Sequence, residues 1–171
     1  MLFGQLYQRI VTPEVRNVAN HWNEARGSRK MPAWSDIKPS AIAEQLPIIW
    51  SWRYDLASGK YIGRLAGEKI TEAHGANLRG QEAKTFFEGR GGDAMLERMH
   101  RVINGPCYYY GEGAVFKHSG RIVTGERAAF PLSEDGETAD GILGVTIFEY
   151  PKLTEEFGDY PNAETSQFFK L

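Results

Sequence analysis

Charged side chains inside predicted strands are the residues of this chain best suited to ligand binding. Arg64 lies in one such run, and its planar guanidinium could hold a carboxylate or phosphate through two parallel hydrogen bonds. A cross-strand salt bridge on a partly solvated face is the competing interpretation of Arg64. Glu126 and Arg127 are neighbours in another run. Because consecutive strand residues point to opposite faces, at most one of these two can face a shared site.

Two histidines occupy positions where an imidazole could act on a ligand. His100 lies on the flank of the apolar arc of a predicted helix, where it could bind haem iron or donate a hydrogen bond. A boundary histidine bonded to backbone or solvent is the simpler interpretation. His74 lies in a glycine-flanked turn, where it could contact a ligand or only stabilise the turn. No spacing of His, Cys, Asp and Glu matches a zinc site, so no metal ligand is assigned.

Three consecutive tyrosines, Tyr108 to Tyr110, begin a predicted strand. Strand alternation places Tyr109 opposite the other two, so the three do not form one aromatic platform. Tyr109 could direct its hydroxyl into a cavity, although sheet packing alone explains the run. The single cysteine, Cys107, excludes an intrachain disulfide and is typical of a reducing cytoplasm.

Composition restricts the classes of partner. The chain has 171 residues, 42% of them hydrophobic and 25% charged, with a formal net charge of -2. This charge gives no general attraction for nucleic acid or for an anionic membrane surface. No apolar run approaches the roughly 20 residues of a spanning helix, and the first residues do not resemble a signal peptide. We therefore expect a cytoplasmic protein.

The elements that must position these side chains follow from turn signals and periodicity. Strand-like runs at Cys107–Phe116, Arg121–Leu132 and Gly141–Tyr150 are joined by short turns, which favours antiparallel neighbours. Two earlier runs, 48–55 and 60–66, predict a hairpin. The residues from Asp93 to Asn104 predict one amphipathic helix before the three strands. The pattern predicts an α+β domain with a five-stranded antiparallel sheet.

A second amphipathic helix is predicted near the N-terminus, beginning at Thr12 and Pro13. The later strands carry apolar residues on both faces, so both faces of the sheet need a cover. Short helices can cover one face, whereas the other needs the N-terminal helix, a second chain, or both. We therefore expect a homodimer. The candidates for a dimer or partner interface are the residues of the helix's apolar stripe: Val15, Val18, Trp22 and Ala25.

The order of two strands, several short helices, one long helix and three strands is the layout of PAS domains. The chain resembles a family of short bacterial PAS proteins common in alphaproteobacteria. Six stretches in the same order carry the resemblance: Arg64-Leu65-Ala66-Gly67, Gly75-Ala76-Asn77-Leu78-Arg79-Gly80, Glu97-Arg98-Met99-His100-Arg101-Val102, Gly125-Glu126-Arg127, Pro131-Leu132-Ser133 and Gly141-Ile142-Leu143-Gly144. Glu68 stands where the family favours a small hydroxyl residue.

The resemblance implies a PAS-like α+β domain over residues 30–150, with short helices on one face of the sheet. An N-terminal helical extension at 1–29 and a C-terminal tail at 151–171 would flank the domain. The resemblance also implies a ligand pocket between the sheet and the short helices, and it implies no reaction and no particular cofactor. The candidate pocket residues are Arg64, His74, His100, Tyr109 and Glu126.

The leading hypothesis is a non-catalytic PAS sensor or adaptor in bacterial signal transduction. Such a module would bind a small molecule, a signalling partner protein, or both. A haem or metabolite carrier is one alternative. A small cone-shaped α+β isomerase or hydrolase is another, and it would need His74, His100 and Glu126 to converge. No spacing suggests that convergence, and we assign no catalytic residue.

Overall fold

Six antiparallel strands form one sheet in the order β2-β1-β5-β4-β3-β6. The computed structural model describes residues 2–88, 92–118, 121–150 and 164–171. The strands are β1 Ile49–Asp55, β2 Lys60–Ala66, β3 Cys107–His118, β4 Arg121–Leu132, β5 Gly141–Glu149 and β6 Glu164–Lys170. The predicted α+β class, the hairpin and the antiparallel run of three strands are confirmed.

The predicted strand number of five was wrong, because the end of the tail forms a sixth strand. β6 pairs antiparallel with β3, from Glu164 opposite Gly113 to Lys170 opposite Cys107. The outer edge of β3 would otherwise present unpaired backbone donors and acceptors, and β6 satisfies them. Residues 151–163 of the predicted tail lie outside the described residues.

Five helices accompany the sheet within the described part of the chain. They are α1 Leu2–Arg9, α2 Pro13–Arg26, α3 Glu68–His74, α4 Ala83–Phe86 and α5 Gly92–Asn104, with 3₁₀ segments at Trp34–Asp36 and Pro39–Ile48. The predicted N-terminal helix is α2. The Thr12 hydroxyl accepts a hydrogen bond from the Val15 amide at its start, and Gly27 ends it with a φ of 57°. α1 was not predicted.

α2 covers one face of the sheet, which we call the N-terminal face. The sheet side chains that point toward α2 on this face are Tyr108, Tyr110, Glu126, Phe130 and Leu143. Trp22 lies edge-on to Tyr108 with ring centroids 5.1 Å apart, and its indole nitrogen donates to the Pro131 carbonyl at 2.8 Å. The ring centroid of Phe3 in α1 lies 5.8 Å from that of the same tyrosine.

The candidate interface residues of α2 are part of this intrachain packing. Val15, Val18 and Trp22 are completely buried, and Ala25 packs against the same core. The chain therefore covers its own second face, and that face no longer requires a second copy. A dimer through these residues would require α2 to leave the sheet.

α3, α4 and α5 cover the opposite face, which we call the cavity face. The sheet side chains that point toward these helices are Trp50, Trp52, Tyr109, Arg127 and Thr146. Trp52 is an anchor of this layer, because its ring centroid lies 5.9 Å from that of Phe86 and 5.6 Å from that of Phe87. The short helices and α5 thus form a roof over the two tryptophans of β1.

Candidate functional site

A small space lies between the cavity face and the helices that cover it. Its volume is about 20 Å³, measured as the space open to the centre of a water molecule. That volume accommodates about one water. The lining residues are Trp50, Trp52, Ile70, His74, Leu78, Phe87, Met95, Phe116, Arg127 and Thr146. The walls are mostly aromatic and aliphatic, with one cation among them.

A second space of about 10 Å³ lies beside the first, under α5. Trp50, Met95 and Arg127 line both spaces, so only side chains separate them. Methionine is unbranched and adapts its rotamer to irregular surroundings. A change of the Met95 rotamer is therefore the simplest movement that would join the two cavities.

Arg127 is the central polar group of this site. The residue is 2% exposed, its Nε donates to the Thr146 hydroxyl at 3.1 Å, and its Nη2 donates to the Val115 carbonyl at 2.7 Å. Its guanidinium also lies 5.1 Å from the centre of the Phe116 ring. Burial lowers the pKa of the Arg127 guanidinium, and the nearby Glu164 carboxylate opposes that shift.

The carboxylate of Glu164 enters this region from β6. One oxygen accepts from Arg98 Nη1 at 2.6 Å and from Arg127 Nη1 at 3.2 Å, and the other accepts from the Tyr109 hydroxyl at 2.8 Å. The Glu164 and Arg127 side chains are each 3% exposed, so this ion pair is almost entirely desolvated. Desolvated pairs depend on such complete hydrogen bonding, because each charge has lost its water.

The structure separates the two candidate histidines. His74 lines the larger cavity, with its ring 5.0 Å from Phe116 and edge-on to it. His100 is exposed on the outer side of α5, where its ring nitrogens lie 3.4 Å from the Tyr61 hydroxyl and 2.5 Å from the Asn104 amide. His100 lines neither cavity, so its position matches the boundary histidine rather than a ligand to haem iron.

Glu126 faces away from the cavities, on the N-terminal face. Its carboxylate accepts from the Val11 and Thr12 amides at 2.5 and 2.9 Å, from the Thr12 hydroxyl at 2.5 Å and from the Tyr110 hydroxyl at 2.9 Å. Glu126 thereby fastens the junction of α1 and α2 to the sheet. It cannot join His74 in one site, so the convergence required by the isomerase or hydrolase alternative is absent.

Arg64 also lies away from the cavities. Its guanidinium lies 4.9 Å from the centre of the Trp34 ring, which belongs to the first 3₁₀ segment. Burial lowers the pKa of Arg64, and Asp140 opposes that shift. Its Nη1 is buried and has no hydrogen-bond acceptor among the described residues. Tyr109 is therefore the candidate whose hydroxyl binds the same carboxylate as Arg127, that of Glu164, and ligand binding by any of the five candidates stays a prediction.

Replacing Glu126 with glutamine is expected to lower the free energy of unfolding by about 1–3 kcal/mol. All four groups around Glu126 donate hydrogen bonds to it, and an amide NH₂ can accept none of them. Urea unfolding would measure the loss. Glu112→Gln is the matched control, because Glu112 is exposed and lies 3.3 Å from the Tyr110 hydroxyl. Equal stability of the two variants would contradict this role of Glu126.

Alkaline titration should reveal the buried tyrosines as a separate class. Burial raises the pKa of Tyr108 and Tyr109 to about 12, and it also raises the pKa values of Tyr61 and Tyr110. The folded state therefore retains these protons above the unfolded pKa near 10. The resulting stabilisation is complete below about pH 10 and is lost as the pH rises through about 12.

We expect these four hydroxyls to ionise only as the protein unfolds in alkali. Phenolate absorbance followed together with circular dichroism tests this expectation. Ionisation of all eight tyrosines near pH 10 in a protein that keeps its native dichroism would contradict it.

Several residues of the site escaped the sequence analysis, chiefly Trp50, Trp52, Met95 and Glu164. The two tryptophans carried a usable signal, since their spacing of two places them on one face of β1. Arg127 was considered only as the neighbour of Glu126, and alternation could not decide which of the two faces inward. That choice depends on strand register, which places Arg127 beside Thr146 and opposite Gly111.

Within the described residues, no cluster of three or more His, Cys, Asp and Glu side chains could hold a metal ion. None of the helices in the same ranges is long and apolar enough to cross a membrane.

Comparison with known proteins gives one family. A sequence model described as a PAS domain matches residues 11–147, which include α2, the strands β1 to β4 and most of β5. β6 lies beyond the match. A search of curated proteins and a search of solved structures find no match. The family match covers most of the chain and agrees with the helix and strand order, so this protein belongs to the PAS domain family.

Proposed function

We propose that this protein is a non-catalytic sensor that binds a small molecule in the joined cavities beside Arg127. The observation that supports this most directly is the combination of aromatic walls with a buried cation at one location. Small-molecule sites are commonly apolar concavities with a few fixed polar groups. Membership of the PAS family supports a role in sensing and signalling.

The cavities are too small for an organic ligand in this conformation, so binding requires the roof to move. The movable elements are Met95 and the short helices α3 and α4, because the tryptophans below them belong to the sheet. A ligand that binds the open form more tightly than the closed form shifts the population toward it. We propose that this change of shape is read by a signalling protein.

The four tryptophans provide a test with internal controls. Trp50 and Trp52 lie in the cavity wall, whereas Trp22 lies on the N-terminal face and Trp34 lies beside Arg64. During titration with a metabolite library, indole N–H resonances in a nitrogen-15 correlation spectrum should shift for the first two and stay unchanged for the others. A ligand that moves only Trp22 or Trp34, or a library without any binder, would contradict the proposed cavity.

The signalling part needs a separate measurement. Affinity purification with and without the ligand found in the titration should enrich a signalling protein to different extents. Ligand binding with identical partner recovery in both states would favour a carrier over a sensor. A size measurement in solution, performed in the same two states, tests the expected homodimer.

A further inference from the structure

The hydrogen-bond donors to the Glu164 carboxylate lie within the residues that the PAS family model matches, whereas Glu164 itself does not. Arg98, Tyr109 and Arg127 lie within the matched residues, whereas their common acceptor, Glu164, lies beyond them. Within the described residues, Glu164 is also the only carboxylate in a salt bridge with Arg127. The domain thus provides the site, and a segment outside the family match provides the anion.

Arg127 is held in place independently of that anion. Its Nε and Nη2 are fixed by Thr146 and by the Val115 carbonyl, which leaves Nη1 directed at the carboxylate. An unpaired guanidinium at this depth would carry a large desolvation penalty. The site therefore requires an anion, and its donors are already oriented to receive one.

The backbone also leaves space for a carboxylate at this position. Gly111 lies opposite Arg127 in the pairing of β3 with β4. A Cβ at Gly111 would overlap both the Glu164 carboxylate and the Tyr109 hydroxyl. A glycine at this point therefore keeps the place of the carboxylate open.

The strand that carries the anion is the least buried strand of the sheet. Every residue of β6 remains at least partly exposed, and β6 pairs on one side only. Exposed edge elements of this kind open with smaller free energies than core strands. Glu164 can therefore leave the site with β6 while β1 to β5 keep their pairing.

Space for an organic group lies beside the donors of this site, because Arg98, Tyr109 and Arg127 all line the smaller cavity. Both cavities have Arg127 in their walls, and their other walls are mainly apolar, including Trp50, Met95 and Met99. A ligand whose carboxylate takes the place of Glu164 would direct its remaining atoms into this region. The chemistry of the walls selects an apolar or aromatic body.

We propose that Glu164 is an internal ligand of this carboxylate site and that a small monocarboxylate with an apolar body replaces it, releasing β6 from β3. This inference rests on the proposed function, because it names the ligand class of the same cavity. One carboxylate replaces another, so the electrostatic terms largely cancel and burial of the apolar body favours the exchange.

Chemical rescue of a Glu164→Ala variant of the full chain tests the site. Alanine retains the Cβ, so acetate can restore the missing CH₂ and carboxylate positions. Acetate should raise the melting temperature of the variant in a saturable manner, and acetamide should not. Sodium chloride at equal ionic strength controls for screening. If Glu164→Ala does not fold, Glu164→Ser serves the same comparison, because serine is also short enough to leave space for acetate.

The apolar body is tested by comparing phenylacetate with acetate. In the Glu164→Ala variant, phenylacetate should bind at least tenfold more tightly than acetate, because its ring is buried. Adding Arg98→Gln should weaken binding of both acids about tenfold through loss of a charged donor. In the wild-type protein, saturating phenylacetate should accelerate amide exchange in residues 165–170 and leave that of β1 and β2 unchanged.

The outcomes separate this inference from the proposed function. Equal stabilisation by acetate and acetamide, no rescue, or rescue that is insensitive to Arg98→Gln would overturn the carboxylate site. If neutral compounds still shift the Trp50 and Trp52 indole resonances in the wild type, the sensor proposal survives that result. Rescue by acetate in a protein that binds no library compound would support the site and overturn the sensor proposal.

Discussion

Replacing Glu164 with alanine is expected to lower the free energy of unfolding by about 3–5 kcal/mol. The substitution leaves Arg127 almost fully buried without its carboxylate, whereas Arg98 has a 21% exposed side chain and can regain water. It also removes the acceptor of the Tyr109 hydroxyl, which lies 2.8 Å from Glu164. Urea denaturation of the variant and the wild type would measure the difference.

The loss has an upper limit, which is the free energy that holds β6 on β3. Once the penalty for an unpaired Arg127 exceeds that amount, β6 leaves the sheet and water reaches the guanidinium. A chain shortened to end at residue 163 measures this limit directly. The Glu164→Ala variant should therefore never be less stable than the shortened chain. The reverse order would contradict this limit, because the shortened chain also lacks Glu164.

A double variant separates the buried charge from the lost contacts. Arg127→Met combined with Glu164→Leu removes both charges, and such replacements of buried ion pairs are often close to neutral. We expect the double variant to be more stable than Glu164→Ala alone. If the two substitutions simply added their effects, the cost would come from packing and not from the unpaired guanidinium.

The sheet could be predicted from local features because turns and alternation specify it. Short turns between β3, β4 and β5 indicated their antiparallel order, and Thr12 and Pro13 marked the start of α2. β6 could not be predicted in this way. It follows a segment with proline and glycine, and its own residues include only two large apolar ones, Phe168 and Phe169. The open edge of β3, a property of the assembled sheet, determines its position.

The candidate site was predictable in kind but not in its members. Alternation separated Glu126 from Arg127, yet only the register of β4 against β5 shows that Arg127 faces the cavities. His74 was placed near a cavity by its position in the fold, and it lies in the cavity wall. Arg64 was noted as a strand cation, and its contact with Trp34 depends on a loop whose path the sequence does not specify.

The domain boundaries show the same dependence on long-range contacts. Residues 1–29 were separated as an extension because the family resemblance covers residues 30–150. The family match begins at residue 11, and the side chains of α2 are buried against the sheet. A cover helix and a separate extension have the same amphipathic pattern, and only the sheet surface opposite distinguishes them. The boundaries at 30 and 150 stay predictions.

Replacing Gly144 with alanine is expected to lower the free energy of unfolding by about 2–4 kcal/mol, through overpacking and a lost hydrogen bond. Gly144 lies opposite Trp50 in the pairing of β1 with β5, and a Cβ there would overlap the indole ring. Trp50 is 5% exposed and donates to the Thr146 hydroxyl at 2.9 Å. The strands cannot separate without breaking their pairing, so the indole must move toward the cavities.

Gly105→Ala is the matched control, because a Cβ at Gly105 would meet no atom within 4 Å. We expect that control to lie within about 0.5 kcal/mol of the wild type. Combining Gly144→Ala with Trp50→Leu should recover part of the loss, since the smaller side chain removes the overlap. The Trp50 indole resonance should move in Gly144→Ala and stay in place in Gly105→Ala. Equal stability of the two alanine variants would contradict the close packing of the Trp50 indole against Gly144. It would also contradict the position of Trp50 in the walls of both cavities.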